Sequence, residues 1–288
     1  MTLTRLWRKF WHGLRVRHFG TPAPLVAVLR LTGPIGQTGR GTGAITFDAL
    51  ARPLERLFDH PGVTAVALAI NSPGGAPVQS ALILRHIRDL ATEHQIPVIA
   101  FCEDVAASGG YMLALAGDEI IVHEASLVGS IGVISGGFGF AQALDRLGIE
   151  RRVYTAGENK VRLDPFQPEK PGDRTWIAGL QDEIHTIFKD IVRERRGDKL
   201  TGDPADLFSG DVWTGRRAVA LGLADGVGAM MPTLKQRYGP KVRVRPVRWR
   251  KTGLLSALTG EASLRTGRHA AAALAALEER LMWQRWGL

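Results

Sequence analysis

The sequence contains a single cysteine, Cys102, and only 7% of its 288 residues are aromatic. One cysteine excludes an internal disulfide and a cysteine-based zinc site, and it does not assign the chain to an oxidising compartment. Every unbroken apolar run is shorter than ten residues. A helix that spans a bilayer needs about 20 apolar residues, so these runs are too short to form one. Hydrophobic residues make up 45% and charged residues 23%, as in ordinary globular proteins, and the length suffices for one large α/β domain with an extension.

Acidic residues are scarce at two basic segments of the chain, although the body is mildly acidic. Residues 1–20 carry five Lys or Arg and no acid, and residues 235–268 carry ten Lys or Arg and one acid. The net charge of +9 comes from these segments, because residues 21–234 have a net charge of −5. Basic segments of this kind favour contact with an anionic surface, such as lipid or nucleic acid.

Residues 1–23 are predicted to form a short amphipathic helix, because apolar residues recur there at spacings of three and four. Such a helix suits a membrane interface, or it can dock on the body or on a neighbouring subunit. Nucleic acid is not expected as a partner, because no recognisable nucleic-acid motif accompanies the charge. A signal peptide is not expected, since no apolar core follows the basic start. The apolar face consists of Leu3, Leu6, Trp7, Phe10, Trp11 and Leu14.

Short apolar strands alternate with helices from residue 24 onwards, which is typical of a mainly parallel sheet covered on both faces. We expect one domain over 24–232, followed by a basic edge strand and a helical extension over 233–288. The predicted strands are Leu25–Leu31, Ala65–Ile70, Pro97–Cys102, Glu119–His123, Arg152–Thr155 and the edge strand Lys241–Trp249. The predicted helices are Phe47–Phe58, Val78–Glu93, Ala107–Ala116, Ala141–Leu147, Asp173–Arg195, two within 215–238, and Ala270–Trp286.

Two glycine-rich segments follow predicted strands, where parallel sheets place their chemistry. In VAASGGY (105–111), Ser108 precedes two glycines. A serine at such a turn can be a nucleophile, with the next N–H group holding an oxyanion, or the small residues can simply pack a helix against the sheet. NSPGG (71–75) could offer further N–H groups and an edge for an extended peptide, or it could be an ordinary Pro-Gly turn.

A serine nucleophile needs a base. His86, His94 and His185 lie in predicted amphipathic helices, where a solvated or packing role is expected. His123 ends a predicted strand but precedes the glycine-rich loop that follows it. A lysine can replace histidine if burial keeps its amine neutral, and Lys160 lies just past the predicted Arg152–Thr155 strand.

Taken together, five stretches resemble peptidase family S49, the signal peptide peptidase (protease IV) family of the Clp-protease and crotonase-like superfamily. They span about 24–232 in the family's order and spacing. The resemblance implies a crotonase/Clp-protease-like spiral of mainly parallel β-strands covered by helices, with N- and C-terminal helical extensions. The stretches are AVALAINSPGG (65–75), PVIAFCEDVAASGGYMLALAGDEIIV (97–122), LVGSIGV (127–133), YTAGENKVRLDPF (154–166) and VWTGRRAVALGLADGVG (212–228).

The resemblance implies a Ser–Lys dyad, with Ser108 as nucleophile and Lys160 as general base. Ser130 would help to position the lysine amine. Clp-type proteases carry their base histidine in the loop that reads SIGV here, at 130–133, and this sequence has no histidine there. A dyad requires a neutral lysine, so we expect Lys160 to be at least partly buried and Glu158 to point away from it. The oxyanion donors would be Gly109 and either Gly74 or Gly75.

The resemblance also implies partners, and the basic N-terminal helix suggests a location. Its members form dome-like rings in which neighbouring subunits can help to complete a site, and the 173–195 helix and the C-terminal helix are the expected interfaces. Substrates would be unfolded or short peptides, such as signal-peptide remnants, and no cofactor or metal is expected. Residues 1–20 would place the ring in the cytoplasm, peripheral on the cytoplasmic face of the inner membrane. Asn159 and 161–163 depart from the family's usual residues beside the lysine.

Two other functions use the same fold. A catalytically silent membrane scaffold is one alternative, although intact Ser108 and Lys160 argue against it. A crotonase-like acyl-CoA enzyme is the other, and it lacks support because only Glu103 and Glu124 could serve as catalytic glutamates in the 103–140 loops.

Overall fold

The computed structural model describes residues 22–36 and 44–249, together with Arg280, Trp283 and Gln284. The helices predicted over 1–23 and Ala270–Trp286 therefore lie almost entirely outside the described residues. Across the described ranges, no helix is long and apolar enough to cross a membrane.

The described residues form eight strands in one sheet. They are β1 (Leu25–Thr32), β2 (Val63–Ser72), β3 (Val98–Ala107), β4 (Glu119–Val122), β5 (Leu127–Gly129), β6 (Val212–Thr214), β7 (Gly226–Val227) and β8 (Arg243–Val247). The main strand order is β6-β5-β3-β2-β1-β8, and β4 pairs with both β3 and β7. All pairs are parallel except β5 with β6.

Helices connect these strands and cover the sheet. They are α1 (Phe47–Phe58), α2 (Pro77–His94), α3 (Gly109–Ala114), α4 (Ala141–Arg146), α5 (Pro171–Arg196), α6 (Pro204–Leu207), α7 (Gly215–Ala220) and α8 (Met230–Tyr238), with a 3₁₀ turn at Gly197–Lys199. The larger core cluster includes Leu29 of β1 and residues of α1, α2 and α5, whereas Val28 belongs to a smaller cluster with Leu234 of α8. Adjacent strand residues thus face opposite layers, which confirms the predicted α/β class.

The strand β3 changes its neighbour halfway along its length. Residues 99–102 pair with β4, whereas residues 105–107 pair with β5. The register between β2 and β3 also shifts between Ile70 and Ser72. The β3 strand is therefore longer than the predicted Pro97–Cys102, and it delivers its last residue, Ala107, directly to Ser108.

Most predicted elements agree with the structure, and α1 has the predicted bounds. The strand predicted over Arg152–Thr155 is wrong, because those residues are exposed and belong to no strand. Their β-branched and aromatic residues favour extended backbone, but a strand also needs a partner to accept its hydrogen bonds. The predicted edge strand is present as β8, which pairs with β1. The predicted boundary at 232/233 falls inside α8.

Candidate active site

Ser108 lies at the junction between β3 and α3 in a conformation that serine rarely adopts. Its φ is 53° and its ψ is −122°, and it is half-buried. A non-glycine residue at such a positive φ costs of the order of 1–3 kcal/mol and persists only where the surroundings hold it. The Ser108 N–H group donates to the Gly129 carbonyl at 2.8 Å, which fixes the junction against β5. This strand-to-helix turn presents the serine at the end of a central strand.

The backbone of the NSPGG turn lies directly against Ser108 and Gly109. A Cβ atom built on Gly74 would lie 2.8 Å from the Ser108 Cβ and 2.9 Å from the Gly109 nitrogen. A Cβ atom built on Gly109 would lie 3.3 Å from the Gly75 nitrogen. Glycine is therefore required at position 74, where a side chain would collide with the backbone of the other segment, and a side chain at position 109 would crowd Gly75.

Two backbone N–H groups at this contact have no acceptor among the described residues, those of Gly75 and Gly109. The Gly74 N–H differs, since it donates to the Ser72 Oγ at 3.2 Å. Of the two alternatives left by the sequence, Gly75 is thus the residue with the uncommitted donor. Adjacent uncommitted N–H groups are the arrangement that holds a developing oxyanion.

Ser130 lies in a tight turn immediately after β5. Its φ is 50°, so it is also held in the left-handed region. The Ser130 N–H donates to the Asp211 carbonyl at 2.6 Å, and the Gly132 N–H donates to the Ser130 carbonyl at 2.9 Å. The intervening Ile131 side chain is fully buried. Because the Gly129 carbonyl also accepts a hydrogen bond from the Ser108 N–H, the position of this turn is fixed relative to Ser108.

A cavity of about 910 Å³ opens beside Ser108, and Gly75, Gly109 and Ser130 line it as well. Its walls come from α2 and α5, with Met112 of α3, the 132–134 segment and Ser209–Gly210 completing it. The walls are mainly apolar, and among the described residues Arg85 is the one lining residue with a permanent charge. A cavity of this size and character fits the side chains of an apolar peptide segment. The helical wall residues are Pro77, Val78, Ala81, Leu82, Arg85, Ile184, His185, Ile187, Phe188 and Ile191.

Lys160 lies apart from this group in the single chain. It is exposed in a turn closed by its N–H bond to the Gly157 carbonyl at 3.2 Å, and it does not line the cavity. The expectation that Lys160 is at least partly buried is therefore wrong for the isolated chain. Its surroundings in 133–170 pack locally, with Phe140 stacked on Phe166 at 5.6 Å and Arg151 paired with Asp164. Arg151 holds the pKa of Asp164 below its ordinary value.

The helix α3 behind Ser108 is anchored through Tyr111. The buried Tyr111 hydroxyl donates to the Leu223 carbonyl at 2.8 Å, and burial raises the pKa of this phenol. Asp225 lies two residues after Leu223, and its carboxylate accepts hydrogen bonds from Arg196 and Lys199. Burial would raise the pKa of Asp225, but these hydrogen bonds outweigh it and hold the pKa below its ordinary value. The 212–228 stretch thus holds α3, the helix that follows Ser108, in place.

Sequence reasoning missed the contribution of α5 to the cavity. The signal was present, because Ile184, Phe188 and Ile191 recur at spacings of four and three on one helical face. Nothing local shows, however, that this face meets Ser108. Among the residues that the structure describes, no group of three or more His, Cys, Asp or Glu could hold a metal ion.

Comparison with known proteins identifies a family and relatives with different names. The model of the family described as Peptidase family S49 matches residues 91–237, just over half of the chain, and includes Ser108, Ser130 and Lys160. The chain is 49% identical over 282 residues to a Brucella melitensis protein named Na(+)/H(+) antiporter NhaA, covering 94% of this chain and 38% of that protein. It is 31% identical over 208 residues to the chloroplastic serine protease SPPA of Arabidopsis thaliana, covering 71% of this chain and 29% of that protein.

The chain thus spans well under half the length of these two relatives. A solved structure of a serine-to-alanine mutant of the 1510-N membrane-bound stomatin-specific protease superposes with a TM-score of 0.50 at 16% identity, covering 79% of this chain and 99% of that chain. This likeness concerns the fold.

Proposed function

The chain belongs to peptidase family S49, and we propose that it is a serine endopeptidase in which Ser108 is the nucleophile and Lys160 is the general base. The observation that carries the proposal is the convergence at Ser108 of the uncommitted Gly75 and Gly109 N–H groups with an apolar cavity. This arrangement supplies a nucleophile, an oxyanion site and a substrate pocket in one place.

In the proposed reaction, an extended peptide lies beside the 71–76 turn with its scissile carbonyl over Ser108. The neutral Lys160 amine takes the proton as Ser108 Oγ bonds to the carbonyl carbon, and the Gly75 and Gly109 N–H groups stabilise the oxyanion. Lys160 then gives that proton to the leaving amine as the C–N bond breaks. A water molecule, deprotonated by Lys160, attacks the ester, and the proton returns to Ser108 as the acid leaves.

Because Lys160 is exposed and outside the cavity of its own chain, we propose that it acts on Ser108 of a neighbouring subunit in a ring. Most exposed large apolar side chains of the described residues lie between 138 and 180, outside the cavity, including Phe138, Leu147 and Tyr154. Burying this surface against another copy would move Lys160 out of water and favour its neutral form. Ser130 would hold the lysine amine at the assembled site.

The apolar cavity favours unfolded or short apolar peptides, such as signal-peptide remnants. Four large apolar side chains at the cavity are exposed in the single chain: Val78, Leu82, Ile134 and Ile187. A bound peptide would remove them from water, which contributes binding free energy of about 25 cal/mol per Å² of apolar surface.

The first test is hydrolysis of an unfolded protein and of a signal-peptide-like peptide between about pH 6 and about pH 10. Ser108→Ala and Lys160→Ala should both abolish an activity that rises with pH, since only a neutral amine accepts a proton. Ser135→Ala and Lys235→Ala are matched controls on exposed residues outside the cavity and should keep activity. If the wild type is folded and assembled but inactive, the silent scaffold is favoured instead. If Ser108→Ala retains activity, Ser108 is not the nucleophile.

Mixing the two inactive variants tests whether neighbouring subunits share the site. If Lys160 acts across subunits, Ser108→Ala rings that exchange subunits with Lys160→Ala rings regain part of the wild-type activity. If both residues act within one chain, the mixture stays inactive.

We propose that the N-terminal segment contacts the cytoplasmic face of the inner membrane, because of its positive charge and the apolar helical face predicted from its sequence. Flotation of the full chain with anionic vesicles at low salt tests this placement. Release at high salt is expected, and a chain that stays with the soluble fraction at low salt would contradict it.

A further inference from the structure

A histidine of α5 reaches the turn that carries Ser130. His185 is half-buried, and it lines the cavity beside Ser108. Its Nε2 atom lies 2.9 Å from the carbonyl oxygen of Ile131, 54 residues away in sequence. A carbonyl oxygen only accepts hydrogen bonds, so Nε2 must carry the proton. Neutral histidine with the proton on Nε2 and doubly protonated histidine can both make this contact, which assigns His185 as a donor to the turn.

The turn that His185 contacts has little tolerance for movement. Ser130 is held at a positive φ, and Ile131 is fully buried immediately after it. Backbone hydrogen bonds hold both neighbours of Ile131. The Ser130 N–H donates to the Asp211 carbonyl, and the Gly132 N–H donates to the Ser130 carbonyl. For the Ile131 carbonyl, the partner is the His185 side chain. Removing that donor would leave a carbonyl at a buried residue without its hydrogen bond, which costs about 1–3 kcal/mol or forces the turn to shift.

We propose that His185 is a positioning residue of the peptidase site, which fixes the Ser130 hydroxyl through the Ile131 carbonyl. The inference rests on the proposed function, because it concerns the geometry in which Ser130 holds the base. His185 takes no part in proton transfer in this role. His185 links α5, which forms a wall of the cavity, to the turn after β5. This contact fixes the position of the Ser130 turn relative to the cavity.

Three variants separate this role from simple packing. His185→Leu removes the donor, whereas His185→Gln keeps an N–H donor at the end of a side chain of similar reach. Lys189→Leu is the matched control, since Lys189 is also half-buried and lies one turn further along α5 but outside the cavity. For each variant we would measure kcat, KM, the thermal midpoint and deuterium uptake of peptides covering 127–133.

His185→Leu should lower kcat about 10- to 100-fold with KM changed less than about two-fold, because a small misplacement of a catalytic group costs rate rather than binding. Amide deuteration in 127–133 should accelerate in the same variant. His185→Gln should restore most of both, and Lys189→Leu should resemble the wild type.

The proposal is overturned if His185→Leu keeps both wild-type kcat and wild-type exchange, if the glutamine and leucine variants are equally impaired, or if only KM changes. An inactive wild type would count against the proposed function instead. In that case the exchange data still decide whether His185 holds the turn.

Discussion

The Asn71 carboxamide oxygen accepts a hydrogen bond from the Val105 N–H at 3.1 Å, across 34 residues of sequence. The amide nitrogen of the same side chain donates to the Asp104 carboxylate at 2.7 Å. These contacts lie where the register between β2 and β3 shifts, so the side chain supplies an acceptor that the irregular ladder does not. Asn71 thereby ties the first residue of the NSPGG turn to the strand that ends at Ser108.

Asn71→Leu should therefore lower both stability and activity. The Val105 N–H, on a fully buried residue, would lose its acceptor, and we expect the free energy of unfolding to fall by about 1–3 kcal/mol. Urea unfolding measures this change, with exposed Gln236→Leu as the control that should stay within about 0.5 kcal/mol. An unchanged unfolding midpoint in Asn71→Leu would show that water replaces the contact at no cost.

Gly109→Ala should strongly impair hydrolysis. A Cβ atom at this position would lie 2.5 Å from the buried Ser80 Oγ and 3.3 Å from the Gly75 nitrogen, so these groups must move, and we expect the Gly109 N–H to lose its alignment with that of Gly75. Loss of one oxyanion donor costs about 100- to 1000-fold in kcat. Gly179→Ala on α5 is the control, since nothing lies within 4 Å of its added Cβ, and it should stabilise the helix by about 0.5–1 kcal/mol. Near-normal kcat in Gly109→Ala would place the oxyanion elsewhere.

Ala81→Phe should alter substrate choice rather than the chemical step. Ala81 lines the cavity from α2, and a phenylalanine there would occupy space otherwise open to a peptide side chain. KM should rise for peptides with large apolar residues near the cleaved bond and change little for peptides with small ones. Thr92→Phe, exposed on the same helix and outside the cavity, should leave both KM values unchanged. A uniform loss of kcat in Ala81→Phe would contradict the assignment of the cavity as a substrate pocket.

The Asp225 carboxylate should contribute stability that acid removes. Hydrogen bonds from Arg196 and Lys199 outweigh burial and hold the pKa of Asp225 below its ordinary value of 3.8. A lowered pKa in the folded state means that the contribution is present above pH 3.8 and is lost as pH falls through the folded-state pKa. Asp225→Asn should thus be less stable than wild type near neutral pH, and the gap should narrow below about pH 4. Chemical unfolding across this range checks it, and a gap that is constant with pH would exclude the carboxylate's charge as its source.

Local patterns were sufficient for much of this architecture. The strands β1 and β2 consist mainly of apolar residues, and α1 and α2 have helical spacing, so the chain itself encodes their order and approximate bounds. Because the carboxyl ends of parallel strands meet at one edge of a sheet, the sequence also indicated that the NSPGG turn and Ser108 lie close together. The three-residue β5 was missed, since a strand so short has no period and depends on β3 and β6 for its existence.

What the sequence by itself determined was thus the α/β order, the family motifs and the placement of Ser108 in a segment that follows the third strand. Only the tertiary structure decided that Gly75 rather than Gly74 has an N–H group without an acceptor, and that α5 lines the cavity. It also decided that His185 forms a hydrogen bond with the Ser130 turn. It also decided that Arg152–Thr155 forms no strand and that Lys160 is exposed in the single chain. These features depend on partners many residues away or on burial by other segments, and no local pattern encodes them.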